Sequence, residues 1–199
     1  MKKAALNVPN TLSLIRCLLV PAFVATLLFM RDIEIWGIVV PTIVYILTAF
    51  TDMLDGKIAR KYNLVTDFGK FIDPLADKFM VISSMIAILV WMILRGDQPL
   101  ALVFVWVVLI ILLRELGVTS LRLVVAGKSG IVVAASMLGK LKTVSQMVGT
   151  VVILIEPTLP FFSENHILSY VFMAIMAFTT LFSGYDYLKA YMPYIDSNK

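Results

Sequence analysis

In the 26-residue run DMLDGKIARKYNLVTDFGKFIDPLAD, the acids with informative spacing are Asp52, Asp55, Asp73 and Asp77. Asp52, Asp55 and Ala59 stand at i, i+3 and i+7 and share one helix face; Gly69, Asp73 and Asp77 stand at i, i+4 and i+8 and share another. Two faces with two carboxylates each are able to meet across a short turn. Four unpaired carboxylates in one place would repel, and acids at membrane depth normally face a bundle interior and pair with cations. The run contains no His or Cys. Hard ions such as Mg2+ or Mn2+ therefore suit it better than Zn2+ or Cu2+. Two such ions would bridge a diphosphate and stabilise the entering and leaving oxygens of a phosphoryl transfer.

Small residues flank these acids. Gly56 and Ala59 remove bulk beside Asp52 and Asp55, and Gly69 does the same on the second face, so that a nucleotide or phosphate would approach the backbone closely. The plainer account of each is tight helix packing, which membrane helices favour. Arg60 has the charge to neutralise a phosphate, and equally obeys the cytoplasmic bias of basic residues.

The elements that must position these groups are apolar helices. Of the 199 residues, 60% are hydrophobic and 15% charged, which excludes an ordinary soluble domain and predicts an all-α, polytopic membrane bundle. Six spans are expected, near residues 12–30, 36–55, 71–94, 100–125, 138–155 and 167–187, forming one domain over 1–199. Only Arg31 and Arg95, of 17 basic residues, fall in the connections after spans 1, 3 and 5. That asymmetry predicts that both termini and the Asp-rich segment face the cytoplasm, in a plasma (inner) membrane.

Other features read as structural. Trp36, Trp91, Tyr185, Tyr187 and Tyr191 fall near span ends, where interfacial anchoring is expected. The single Cys17 permits no intrachain disulfide, and His166 lies in an external connection. Met1-Lys2-Lys3 before an apolar stretch resembles a secretory signal, but Pro9, Asn10 and Arg16 interrupt it without a convincing cleavage site, so retention is expected. Net charge of +4 is scattered between apolar helices, which favours anionic lipids and phosphates over nucleic acid as partners.

The eight positions Asp52, Asp55, Gly56, Ala59, Arg60, Gly69, Asp73 and Asp77 resemble the complete signature of the CDP-alcohol phosphotransferase family, with no departure. The resemblance implies a six-helix membrane bundle, usually a homodimer. It implies that Asp52, Asp55, Asp73 and Asp77 hold two Mg2+ or Mn2+ ions, that Asp77 is also the general base, and that Gly56, Arg60 and Thr66 contact the CDP moiety. The lipid-linked donor would be CDP-diacylglycerol.

Beyond the signature, the resemblance is closest to the branch of this family whose acceptor is glycerol 3-phosphate. It is carried by residues 7–12 with Arg16, residues 67–78, Arg114-Glu115, residues 138–143 and residues 183–187. Some of these matches also occur in the branch that uses phosphatidylglycerol, and inositol or serine are further alternative acceptors. Glycerol 3-phosphate is a dianion and requires fixed cations; Arg114, Arg122, Lys140 and Lys142 are the candidates. Against these stand a buried Arg114–Glu115 pair and snorkelling of Lys140 and Lys142. Asn10, Thr11 and Arg16 stand where span 1 emerges and are placed to meet a nucleotide, with capping of helix 1 by Asn10 as the alternative. A transporter is the alternative from another class, but the acids gather at one interface and no inverted repeat is visible. A prenyltransferase would carry two separated Asp-rich motifs rather than one compact run.

Overall fold

The computed structural model describes residues 7–62, 66–129, 137–162 and 164–195. These contain six long helices and no strand: α1 (Val8–Phe29), α2 (Trp36–Lys61), α3 (Asp67–Arg95), α4 (Gln98–Ser129), α5 (Met137–Ile155) and α6 (Ile167–Ile195), with a 3-10 turn at Glu156–Thr158. All six are long and apolar enough to cross a membrane. Large apolar side chains such as Leu18, Leu102, Trp106, Leu113 and Phe178 face outward. The chain is a multi-pass α-helical membrane protein.

By its internal contacts the chain divides into two compact units, Met1–Asp97 and Gln98–Lys199. In the first, α1 packs against both α2 and α3. The buried positions of α1 are Pro9, Asn10, Ser13, Arg16, Val20, Phe23 and Leu27. From Asn10 onward their spacing of three or four keeps them on one stripe of the helix. Its C-terminal half is apolar, with Phe23 against Tyr45 of α2 at 5.3 Å between rings. Its N-terminal half is polar.

Helix starts and stops follow side-chain chemistry. Asn7, not Asn10, caps α1, its side chain accepting from the Asn10 backbone N–H at 3.0 Å. Pro9 suits the first turn because that position needs no N–H donor. Thr66 caps α3 by accepting from the Gly69 N–H at 3.0 Å. Gly96 ends α3 with φ of 87°, a left-handed conformation that glycine adopts without steric cost.

In the second unit α6 packs against α4 and α5. A polar seam joins α5 to α6: Ser145 Oγ lies 2.7 Å from Thr179 Oγ1, and Gln146 Nε2 donates to Thr180 Oγ1 at 3.1 Å. Further along, Glu156 is fully buried and accepts from the backbone N–H groups of Leu168 (2.7 Å) and Ser169 (2.9 Å) and from the Ser169 hydroxyl. Trp91, Tyr187 and Tyr191, expected as interfacial anchors, are instead buried, while Trp36 and Tyr185 are exposed. Tyr187 and Tyr191, one helical turn apart, stack at 6.2 Å and pack with Val118 and Val125 of α4.

Candidate active site

Polar residues on α1 recur every three positions, at Asn10, Ser13 and Arg16, and each meets an acid or cap on the neighbouring helices. Asn10 Nδ2 donates to Thr66 Oγ1 at 2.9 Å. Ser13 Oγ donates to Asp73 Oδ1 at 2.6 Å. Arg16 Nη1 donates to Asp52 Oδ1 on α2 at 2.8 Å and to Asp77 Oδ1 on α3. Arg16 is fully buried, Asp52 is 25% exposed at its side chain and Asp77 is 54% exposed. The most accessible of these carboxylates is thus Asp77.

The arrangement brings Asp52 and Asp77 together at one guanidinium nitrogen, although they belong to different helices. Asp73 stands one turn before Asp77 on α3 and is oriented by Ser13. Ser13 escaped the sequence reading; the signal available was its spacing of three from both Asn10 and Arg16 in an apolar helix. Asp55, Gly56, Ala59 and Arg60 lie on the helical backbone of α2, but their side chains fall outside the described residues. Thr11 is exposed, its hydroxyl bonded to the Asn7 carbonyl.

Gly69 is buried, and the space beside it is filled by α1: an added Cβ would lie 2.7 Å from Asn10 Oδ1 and 3.3 Å from Thr66 Oγ1. Its small size here admits Asn10, the packing account of the residue, where the sequence suggested approach of a nucleotide. Thr66 is likewise engaged as a cap and as a partner of Asn10.

Among the described residues no group of three or more His, Cys, Asp or Glu side chains is gathered closely enough to hold a metal ion. The donor set nonetheless fits a hard cation. Its atoms are carboxylate oxygens, the type hard cations prefer, and two of them already converge on a positive charge, that of Arg16.

The basic candidates occupy the second unit. Arg114 donates through Nη2 to Ser183 Oγ at 2.6 Å and through Nη1 to Glu115 Oε1 at 3.2 Å, with Gly184 leaving room for its stem. Glu115 is buried and also pairs with buried Lys142. The expected Arg114–Glu115 pair is therefore present, as part of a triad carrying one net positive charge. Arg122 is exposed, donates to Tyr187 Oη at 2.6 Å and lies 4.8 Å from the centre of the Tyr187 ring. Arg114 reaches the same ring at 5.2 Å. Tyr187 thus ties Arg114 and Arg122 into one cluster; Lys140 is exposed at the start of α5.

Six apolar helices with carboxylates of two of them joined at one cation define a polytopic membrane protein with an acid-lined site. A sequence model of the CDP-alcohol phosphatidyltransferase family matches residues 6–182. The chain belongs to that family. It is 38% identical to the CDP-diacylglycerol–glycerol-3-phosphate 3-phosphatidyltransferase of Bacillus subtilis, over 91% of this chain and 93% of the relative. It is 36% identical to a probable phosphatidylglycerophosphate synthase of Mycobacterium tuberculosis (92% and 80% covered). It is 35% identical to the CDP-diacylglycerol–glycerol-3-phosphate 3-phosphatidyltransferase of Rickettsia typhi (94% and 98% covered).

Proposed function

We propose that this protein transfers the phosphatidyl group of CDP-diacylglycerol to glycerol 3-phosphate, giving phosphatidylglycerophosphate and CMP. The observation that carries the reading is the unbroken eight-residue pattern from Asp52 to Asp77, borne on α2 and α3, two of whose acids, Asp52 and Asp77, meet at Arg16. The names of relatives that match nearly the whole chain support the acceptor.

Asp52, Asp55, Asp73 and Asp77 would hold Mg2+ or Mn2+, two ions per site. When bound, these ions supply positive charge to the diphosphate of the donor and lower the cost of the leaving CMP. Asp77, more accessible than Asp52 or Asp73, takes the proton of the acceptor hydroxyl. The oxygen so released attacks the lipid-side phosphorus, a new P–O bond forms, and the bond to the CMP oxygen breaks. Gly56, Ala59, Arg60, Thr66, Gly69, Asn10 and Thr11 are assigned to the CDP-lipid, with Asn10, Thr66 and Gly69 acting by fixing α1 on α3.

Arg114, Arg122, Lys140 and Lys142 are assigned to the acceptor phosphate. Arg114 and Lys142 share Glu115, so Arg122 and Lys140 bring the charges least committed to a carboxylate. The basic-residue asymmetry supports a cytoplasmic site and termini in the plasma membrane, and family resemblance supports a homodimer.

Purified protein with CDP-diacylglycerol, Mg2+ or Mn2+ and a panel of acceptors tests the reading through CMP release and the lipid formed. Product with glycerol 3-phosphate supports it. Activity with inositol, serine or phosphatidylglycerol, and none with glycerol 3-phosphate, would sink the acceptor assignment.

A further inference from the structure

Arginine is among the costliest side chains to place within a membrane, yet Arg16 of α1 is fully buried. Its Nη1 donates to one oxygen of Asp52 and to one oxygen of Asp77. These acids come from separate helices and repel each other when nothing positive lies between them. The guanidinium stands where a small cation shared by the same two oxygens would stand. Ser13, one turn earlier, donates an uncharged hydroxyl to Asp73, which orients that carboxylate without adding positive charge.

We propose that Arg16 is a positioning residue of the site and a resident competitor of its metal: it clamps Asp52 and Asp77 together, and a divalent cation must take the same oxygens from it. The competition rests on the assignment of these acids as metal ligands; the clamp does not. Two opposite consequences follow from removing the charge at residue 16. Without divalent ions the two carboxylates lose the positive charge that Arg16 places between them and the packing of α1, α2 and α3 loosens. With divalent ions, a positive charge that repels them and occupies their ligands is gone, so binding tightens.

The test uses the full chain in detergent, without substrate. Thermal unfolding is followed in EDTA and in saturating Mg2+, and Mn2+ binding is followed by the paramagnetic resonance of the free ion. Arg16→Gln is expected to melt below wild type in EDTA and to gain more from Mg2+ than wild type does. It should bind Mn2+ about tenfold more tightly, equivalent to relieving about 1.4 kcal/mol of like-charge repulsion. Arg16→Lys, which keeps the charge, should bind Mn2+ much as wild type does. Equal or weaker Mn2+ binding by Arg16→Gln overturns the competition, as does an EDTA deficit that Mg2+ fails to reduce.

Should Arg16→Gln fail to fold, the combination with Asp52→Asn decides the clamp. Removing both charges should return a protein that folds in EDTA, and a double variant that also fails to fold overturns the pairing. Failure of wild-type protein to bind Mn2+ would instead refute the metal assignment, while the EDTA cycle still judges the clamp.

Discussion

Ser13 Oγ on α1 stands 2.6 Å from Asp73 Oδ1 on α3 and 3.1 Å from the Pro9 carbonyl. A hydroxyl has one proton to donate, and the shorter, charged acceptor takes it. The bond fixes which oxygen of Asp73 remains for other partners. If Asp73 holds Mg2+ as proposed, Ser13→Ala should raise the Mg2+ concentration needed for half-maximal activity by about tenfold, the usual scale for losing a group that orients a ligand. Maximal rate at saturating Mg2+ should stay within a few-fold, and Ser13→Thr should retain the wild-type requirement. An unchanged requirement in Ser13→Ala would remove the orienting role.

Asp77 is more exposed than Asp52 although both touch Arg16. Asn at this position keeps an oxygen able to accept from Arg16 but cannot take a proton from an alcohol. Asp77→Asn should therefore abolish turnover while the protein folds and CDP-lipid binding partly survives, measured by CMP release alongside binding of a CDP-lipid. A loss of activity of only about tenfold would eliminate Asp77 as the base, since a positioned base is worth about 100-fold or more.

Hydropathy made all six helices legible, because a membrane span must be about 20 apolar residues long whatever it packs against. It fixed their apolar parts better than their polar ends: α2 runs on to Lys61 and α6 to Ile195 because a helix continues past the lipid until a cap or turn ends it. Helix periodicity put Asp73 and Asp77 on one face of α3, but it carried no information about which side chain of α1 would meet them. The spacing of Ser13 from Asn10 and Arg16 marks a polar face of α1, and only tertiary packing shows that Asp73 is what this residue meets. Tyr187 and Tyr191 illustrate the opposite error. Aromatic residues near span ends suit the interface and the core alike, and here Val118, Val125 and the arginines of α4 draw them inward.

Gly69 faces Asn10 so closely that a methyl group has no place: its Cβ would lie 2.7 Å from Asn10 Oδ1. Gly69→Ala should push the Asn10 amide off its Thr66 partner and lower stability by about 1 kcal/mol, the scale of one hydrogen bond. Because the obstacle is a side chain rather than backbone, Asn10→Ala should recover part of the loss in the double variant. Denaturation of the four proteins in a common detergent measures the coupling; two losses that simply add would show that the contact is not the cause.

Arg122 is held by the Tyr187 hydroxyl at 2.6 Å while its plane rests near the same ring. Tyr187→Phe deletes the hydroxyl and keeps the ring, so the arginine retains its charge and loses its fixed direction. If Arg122 receives the acceptor phosphate, KM for glycerol 3-phosphate should rise by about three- to tenfold, the effect of about one hydrogen bond, with kcat nearly unchanged. Arg122→Gln should raise KM further. A fall in kcat at constant KM in both variants would detach this pair from acceptor binding.

Glu156 and Ser169 supply a structural counterpart to the site's ion pairs. The Glu156 carboxylate, fully buried, accepts from the Leu168 N–H at 2.7 Å, from the Ser169 N–H at 2.9 Å and from the Ser169 hydroxyl. It thereby caps α6 from outside that helix, placing negative charge where the helix dipole favours it. Glu156→Ala strands three donors and should cost about 3 kcal/mol or more, since each buried donor left without a partner costs about 1–3 kcal/mol. Glu156→Gln keeps one acceptor oxygen but turns an amide N–H2 toward donors, so an intermediate loss is expected. Ser169→Ala removes a single hydroxyl and should cost least, about 1 kcal/mol. The measured order of stabilities in detergent tests the cap. KM for glycerol 3-phosphate in the folded fraction should remain that of wild type, because Glu156 lies 14 residues beyond Lys142, roughly 20 Å along the helix.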